Sequence, residues 1–149
     1  MTVLALRSEN GAESATIPRV SMEELLGKAD FLSLHCPLTE TNTGLVDKSF
    51  LAKMKPSAFL INTARGGLIQ TEALLDALDQ GLIRGAAIDV LTKEPATPDE
   101  PLLAMPRPNL IVTPHNAWGA SESRAQLIDQ LCENIEAWQA GTPIRRVNP

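Results

Sequence analysis

Arg65, Asp89, Glu94 and His115 are the side chains of this sequence whose types could carry a reaction together. A histidine exchanges a proton near neutral pH, and a carboxylate beside it holds the ring and favours the imidazolium. An arginine grips an anionic substrate with a two-pronged, charge-assisted hydrogen bond and polarises its carbonyl. Hydride transfer to or from a 2-oxo or 2-hydroxy acid needs groups of these kinds. Each residue alone has a plainer account: Arg65 as a surface arginine, Glu94-Pro95 as a solvated loop, His115 as a structural histidine, Asp89 as a turn cap. What makes them a set is position, because each falls at or just beyond the end of a short apolar run.

Those runs must be the elements that place them. Ala58-Phe59-Leu60-Ile61 is too short for a helix, is bounded by Pro56 and by Gly66-Gly67, and reads as a buried parallel strand ending just before Arg65. Val3–Leu6, Asp30–His35, Ala86–Val90 and Asn109–Thr113 read in the same way. Between them lie a polar turn at Arg7–Gly11, a loop to Ser21 and a helix through about Lys28 that a Ser21-x-x-Glu24 capping box opens. A threonine-rich loop follows Pro37, and Asp47 caps a short helix that turns Phe50, Leu51 and Met54 inward. Thr71 is placed as the cap of a helix with Ala73, Leu74, Ala77 and Leu78 on one face, which Gly81 ends in the left-handed conformation. The proline-rich stretch 94–108 has room for one helical turn near Leu102. The last helix runs from Ser121 to about Ala140, with Leu127, Ile128, Leu131, Ile135 and Trp138 as its apolar stripe. Alternation of strand and helix predicts an α/β class with a mostly parallel sheet, and parallel strands would bring all four polar residues to one edge.

Composition narrows the partners. A chain of 149 residues with 44% hydrophobic and 21% charged residues can bury a core of its own. Net charge is −5, the basic residues are scattered and aromatics make up 3%, which argues against nucleic acid as a partner. The sequence has no apolar run of membrane-spanning length and no signal-peptide pattern at Met1–Arg7, so the expectation is a cytoplasmic protein with Cys36 and Cys132 as reduced thiols. No metal-ligand spacing occurs.

The runs His35-Cys36-Pro37-Leu38-Thr39, Asn62–Gly67, Ala87-Ile88-Asp89-Val90 with Glu94-Pro95, and Thr113-Pro114-His115 together resemble the D-isomer-specific 2-hydroxyacid dehydrogenases over nearly the whole chain. His115-Asn116-Ala117-Trp118 is similar to the version in the glycerate dehydrogenase and hydroxypyruvate reductase type. The resemblance implies a catalytic triad of Arg65, Glu94 and His115, with His115 as acid/base, Glu94 as its partner and Arg65 on the substrate carboxylate and carbonyl. It implies a dinucleotide site formed by Arg7, Cys36, Pro37, Asn42, Thr63, Ala64, Arg65, Asp89, His115 and Trp118, in which Asp89 holds the nicotinamide carboxamide. The substrate it implies is a small 2-oxo or 2-hydroxy acid, and the complete enzyme would be a homodimer, with Trp118 and the loop from Thr92 to Pro108 as candidates for its face.

Two departures qualify this. No G-x-G-x-x-G turn occurs, so the expectation is a Rossmann-like sheet lacking its first strand and glycine-rich turn. Residues 1–141 would then be an incomplete dinucleotide-binding domain, 142–149 a loose tail that returns to an absent substrate domain, and the chain an inactive fragment by itself. At the end of the first strand Arg7, with Ser8, replaces the acid that would hold the ribose hydroxyls of NAD. This favours NADP, and Glu9 is the residue that could restore NAD. Two other readings stand beside the enzyme: a dinucleotide-sensing binding module of the corepressor type, which nucleotide-dependent capture of a partner without turnover would identify, and an inactive remnant.

Overall fold

The computed structural model describes residues 1–7 and 16–147. In chain order the elements are β1 (Ala5–Leu6), β2 (Arg19–Val20), α1 (Met22–Lys28), β3 (Phe31–Leu34), α2 (Lys48–Leu51), β4 (Phe59–Asn62), α3 (Thr71–Asp79), β5 (Gly85–Ile88), α4 (Pro101–Ala104), β6 (Leu110–Val112) and α5 (Ser121–Gln139). They fall into two units, Met1–His115 and Asn116–Pro149.

In the first unit every strand pairing is parallel, as the alternation of elements requires. Among the described residues the strands form two sheets, β1-β2 and β3-β4-β5-β6. Among the described residues β1 pairs only with β2 and β3 only with β4, so the two sheets share no strand. β2 is an addition to the expected loop: Arg19 and Val20 pair with Ala5 and Leu6, and a two-residue strand is too short to show a period in the sequence. The polar turn expected at Arg7–Gly11 lies, beyond Arg7, outside the described residues, as do Ser8 and Glu9.

Leu60 of β4 is fully buried and belongs to one apolar core with Leu26 of α1, Leu51 of α2, Leu74 of α3, and Leu68 and Ile83 from the connecting segments. Burial of each such side chain contributes about 1.5–3 kcal/mol, and this is what holds the strand ends in place. The helix signals act largely as the chemistry of their residues predicts. Ser21 accepts from the Glu24 N–H at 3.2 Å, while the Glu24 carboxylate pairs with Lys28 instead of reaching back to close a full capping box. Asp47 accepts from the Phe50 N–H at 2.7 Å, and Phe50, Leu51 and Met54 are buried. Gly81 ends α3 with φ +67°. The expected cap at Thr71 is corrected: Thr71 is the first helical residue and Gln70 the cap, without a side-chain bond, because the backbone of Gln70 is committed to pairing with Val46.

The second unit is α5 with the segments around it. Its stripe of Leu127, Ile128, Leu131, Ile135 and Trp138 lies on the expected helix but is exposed throughout. In the tail, the exposed Arg145 side chain donates to Glu133 and Asn134 of α5, and residues 148–149 lie outside the described residues.

Candidate functional site

The four-stranded sheet is in level register at its carboxyl edge, where Leu34 pairs with Asn62, Asn62 with Ile88, and Ile88 with Val112. The residues that follow, His35, Thr63, Asp89 and Thr113, are therefore delivered side by side. The ladder even runs one step further, with the Asp89 N–H on the Asn62 carbonyl and the Thr113 N–H on the Ile88 carbonyl, both at 2.9 Å. This is the edge where open α/β sheets bind ligands.

Asp89 is 4% exposed and stands with Asn62 as a buried polar residue of the core. The Thr113 hydroxyl donates to its Oδ1 at 2.5 Å, so the carboxylate is oriented by the neighbouring strand. A carboxylate this deep is retained only where hydrogen bonds offset its lost hydration.

Glu94 and His115 meet directly. Glu94 Oε2 lies 2.7 Å from His115 Nδ1, and Glu94 Oε1 accepts from the Leu91 N–H at 2.8 Å. The Leu91 N–H and then the His115 ring hold the Glu94 carboxyl below the usual glutamate range, while partial burial and the charge of Asp89 oppose them. His115 itself has φ +53°, a left-handed conformation that costs a residue with a Cβ about 1–3 kcal/mol. Its N–H donates to the Thr113 carbonyl at 3.0 Å, so the chain bends sharply through Pro114 and turns the imidazole to Glu94. The two side chains line a cleft of about 330 Å³ with Leu91, Leu103 and Thr113.

Arg65 extends from the loop after β4. Asn62, fully buried, builds that loop: its Oδ1 accepts from the Ala64 N–H at 3.0 Å and its Nδ2 donates to the Arg65 carbonyl at 2.9 Å. The exposed guanidinium donates to the Ala64 carbonyl at 2.7 Å. Arg65 lines an open cleft of about 600 Å³ with His35, Cys36, Pro37, Thr63 and Ala64. The structure thus joins Glu94 to His115 and gathers Arg65 with Cys36, Pro37, Thr63 and Ala64, in two clefts on the same sheet edge.

The remaining expected residues are placed as follows. Asn42 spends its amide on its own loop, accepting from the Thr39 N–H at 2.7 Å and donating to the Pro37 carbonyl at 2.8 Å. It shapes the turn behind Pro37. Arg7 is exposed at the end of β1, where its N–H donates to the Val20 carbonyl at 2.9 Å. Trp118 belongs to the second unit, where it lines a groove with Arg124, Leu127 and Ile128. Sequence reasoning missed Asn62 and Thr113 as builders of the site. An asparagine at the end of an apolar run and ahead of paired glycines is a turn signal that could have been read for Asn62.

Residues 1–117 match the family model described as the D-isomer specific 2-hydroxyacid dehydrogenase, NAD binding domain. A glycerate dehydrogenase of Methylorubrum extorquens is 48% identical over 124 residues, covering 83% of this chain and 40% of the relative. A hydroxypyruvate reductase of Blautia hydrogenotrophica is 41% identical over 129 residues, 87% of this chain and 39% of the relative. This chain thus spans about 40% of the length of these curated relatives. Among solved structures, an acyclic imino acid reductase in complex with NADPH and D-Arg superposes with a TM-score of 0.85 at 36% identity, over 99% of this chain and 46% of that one. A D-lactate dehydrogenase with NAD+ from Lactobacillus jensenii gives 0.83 at 31% identity, over 99% and 48%. On a match that spans both clefts and all four parallel strands of the larger sheet, the chain belongs to the D-isomer-specific 2-hydroxyacid dehydrogenase family.

Proposed function

We propose that this chain carries the catalytic edge of a nicotinamide-dependent oxidoreductase that interconverts a D-2-hydroxy acid and its 2-oxo acid, of the hydroxypyruvate or glyoxylate kind. The observation that carries the reading is the Glu94–His115 pair beside a buried, oriented Asp89 on the ligand-binding edge of the sheet.

The residues present fit the nicotinamide half of the cofactor. An open cleft of about 600 Å³ lined by residues 35–38 and 63–65 runs along the strand ends, and Asp89 offers a fixed acceptor for a carboxamide. Cys36, Pro37, Thr63 and Ala64 would hold the cofactor there. When bound, the nicotinamide supplies or accepts the hydride. In the reducing direction Arg65 binds the substrate carboxylate and draws electron density toward the carbonyl oxygen. His115, held through Nδ1 by Glu94, would give a proton from Nε2 to that oxygen. Glu94 keeps the ring in the orientation that this transfer requires. In the oxidising direction His115 takes the proton back.

No G-x-G-x-x-G turn occurs in the sequence, so the proposed activity is that of a protein in which such a turn completes the pyrophosphate site. Arg7, at the end of β1, supports NADP as its preferred cofactor, because a cation there complements a ribose phosphate.

The test is nicotinamide oxidation followed by absorbance with hydroxypyruvate and glyoxylate, and reduction with D-glycerate, in a form of the protein extended by a glycine-rich strand–turn–helix and a substrate domain. Substrate-dependent turnover that His115→Asn abolishes is the expected result. Absence of turnover with either cofactor overturns the reading, and nucleotide-dependent capture of a partner in its place would identify a binding module.

A further inference from the structure

Gly66 sits where no side chain fits. A Cβ built on it would lie 2.1 Å from the Leu91 carbonyl carbon, 2.2 Å from its oxygen and 2.4 Å from the Thr92 nitrogen. All three are backbone atoms, so no side-chain rotation relieves the contact. Gly44, Gly81 and Gly141 have positive φ and Gly66 is not among them, so glycine is required here for close approach and not for conformation.

The contact joins the two halves of the site. On one side, Asn62 pins Ala64 and Arg65, and the Ile69 N–H donates to the Gly66 carbonyl at 3.1 Å, closing a tight turn over Gly66–Leu68. Gly67, next along, abuts the Leu38 side chain, and the Gly44 N–H donates to the Gly67 carbonyl at 2.8 Å. The Arg65 loop is therefore held from several directions. On the other side, the Leu91 N–H holds Glu94 at 2.8 Å and Glu94 holds His115 at 2.7 Å.

We propose that Gly66 is a positioning residue, whose bare Cα seats the Arg65 loop against the Leu91–Thr92 peptide and so sets where Leu91 presents its N–H to Glu94. What the two halves do together rests on the dehydrogenase reading above; the contact does not. Any side chain at position 66 pushes the 91–94 segment outward and withdraws the Leu91 N–H from Glu94.

The test is an NMR titration of the Glu94 side-chain carboxyl carbon, with the Leu91 amide observed in parallel, in the 149-residue chain and its variants. Gly66→Ala is expected to move the Leu91 amide resonance and raise the Glu94 midpoint toward the ordinary glutamate range. Gly27→Ala, whose Cβ meets nothing within 4 Å, is expected to leave both in place. Arg65→Ala is expected to leave the Glu94 midpoint in place too, since the link is steric and Arg65 is not among the groups that hold Glu94. An unchanged Glu94 in Gly66→Ala, or an equal rise in Arg65→Ala, overturns the proposal. Should circular dichroism show Gly66→Ala unfolded, the unsubstituted chain decides: a nuclear Overhauser effect between the Gly66 α protons and the Thr92 amide proton is expected, and its absence overturns the proposal. None of these readouts needs turnover, so failure of the dehydrogenase reading and failure of this one are separately visible.

Discussion

Glu94 reaches across 21 residues of sequence to place its Oε2 2.7 Å from Nδ1 of His115, and its other oxygen is occupied by the Leu91 N–H. One carboxylate is thus anchored at both oxygens, which fixes the imidazole it holds. A positive φ at His115 is the local cost of that pairing.

Substitution of His115 by Asn should lower kcat of the extended enzyme by about 10²–10⁴-fold with little change in KM, the usual loss when a positioned acid/base is removed. Glu94→Gln should have a smaller effect on kcat. Steady-state kinetics of both variants measure this, and a His115→Asn enzyme within a few-fold of the original would remove the assigned role.

Because the Glu94 carboxyl is held below its usual range, the pair has a defined acid limit. The sign follows from linkage: a lowered folded-state value makes a contribution that is complete above the unfolded value and is lost as pH falls through the folded one. The Glu94–His115 contact should therefore survive through the ordinary glutamate range and break only below it. The carboxyl carbon shift of Glu94 against pH reports this directly, and a transition within the ordinary range contradicts it.

Arg65→Lys should raise KM for the 2-oxo acid and lower kcat/KM by about 10- to 100-fold, since a lysine keeps the charge but cannot make the two parallel bonds to a carboxylate. Kinetics with hydroxypyruvate and with an uncharged carbonyl analogue distinguish the cases. An equal loss for the two substrates would mean that Arg65 does not grip the carboxylate.

At the end of β1, Arg7→Asp should turn the cofactor preference of the extended enzyme from NADP toward NAD, as an acid there accepts hydrogen bonds from ribose hydroxyls and repels a phosphate. The ratio of kcat/KM for the two cofactors before and after substitution is the measurement. A strong NAD preference in the unsubstituted enzyme would refute the role of Arg7.

Gly27→Ala should stabilise the chain by roughly 0.5–1 kcal/mol, because Gly27 lies inside α1 with open space around its Cα. Thermal or urea unfolding reads the change. A loss of stability would show that the helix end needs glycine for a reason absent from its surroundings.

The sequence by itself determined the strands β4, β5 and β6 that lead into Arg65, Asp89 and His115, since short apolar runs bounded by turn residues report their own positions. It also determined the caps at Ser21 and Asp47, where a side chain three residues from its partner N–H needs no distant neighbour. The positions of Arg65, Glu94 and His115 after those strands were legible too, while their roles as a triad are what the family resemblance implies and stand as a proposal. Only the tertiary structure decided the division of the strands into two sheets, the pairing of Arg19–Val20 with β1, and the placing of Arg65 and the Glu94–His115 pair in two clefts. Tertiary contacts alone also assign Asn62 to its loop and Gly66 to its seat on the Leu91–Thr92 backbone. The reason is physical: a two-residue strand carries no period, and a close approach depends on what lies across space, which a residue's neighbours in sequence do not encode.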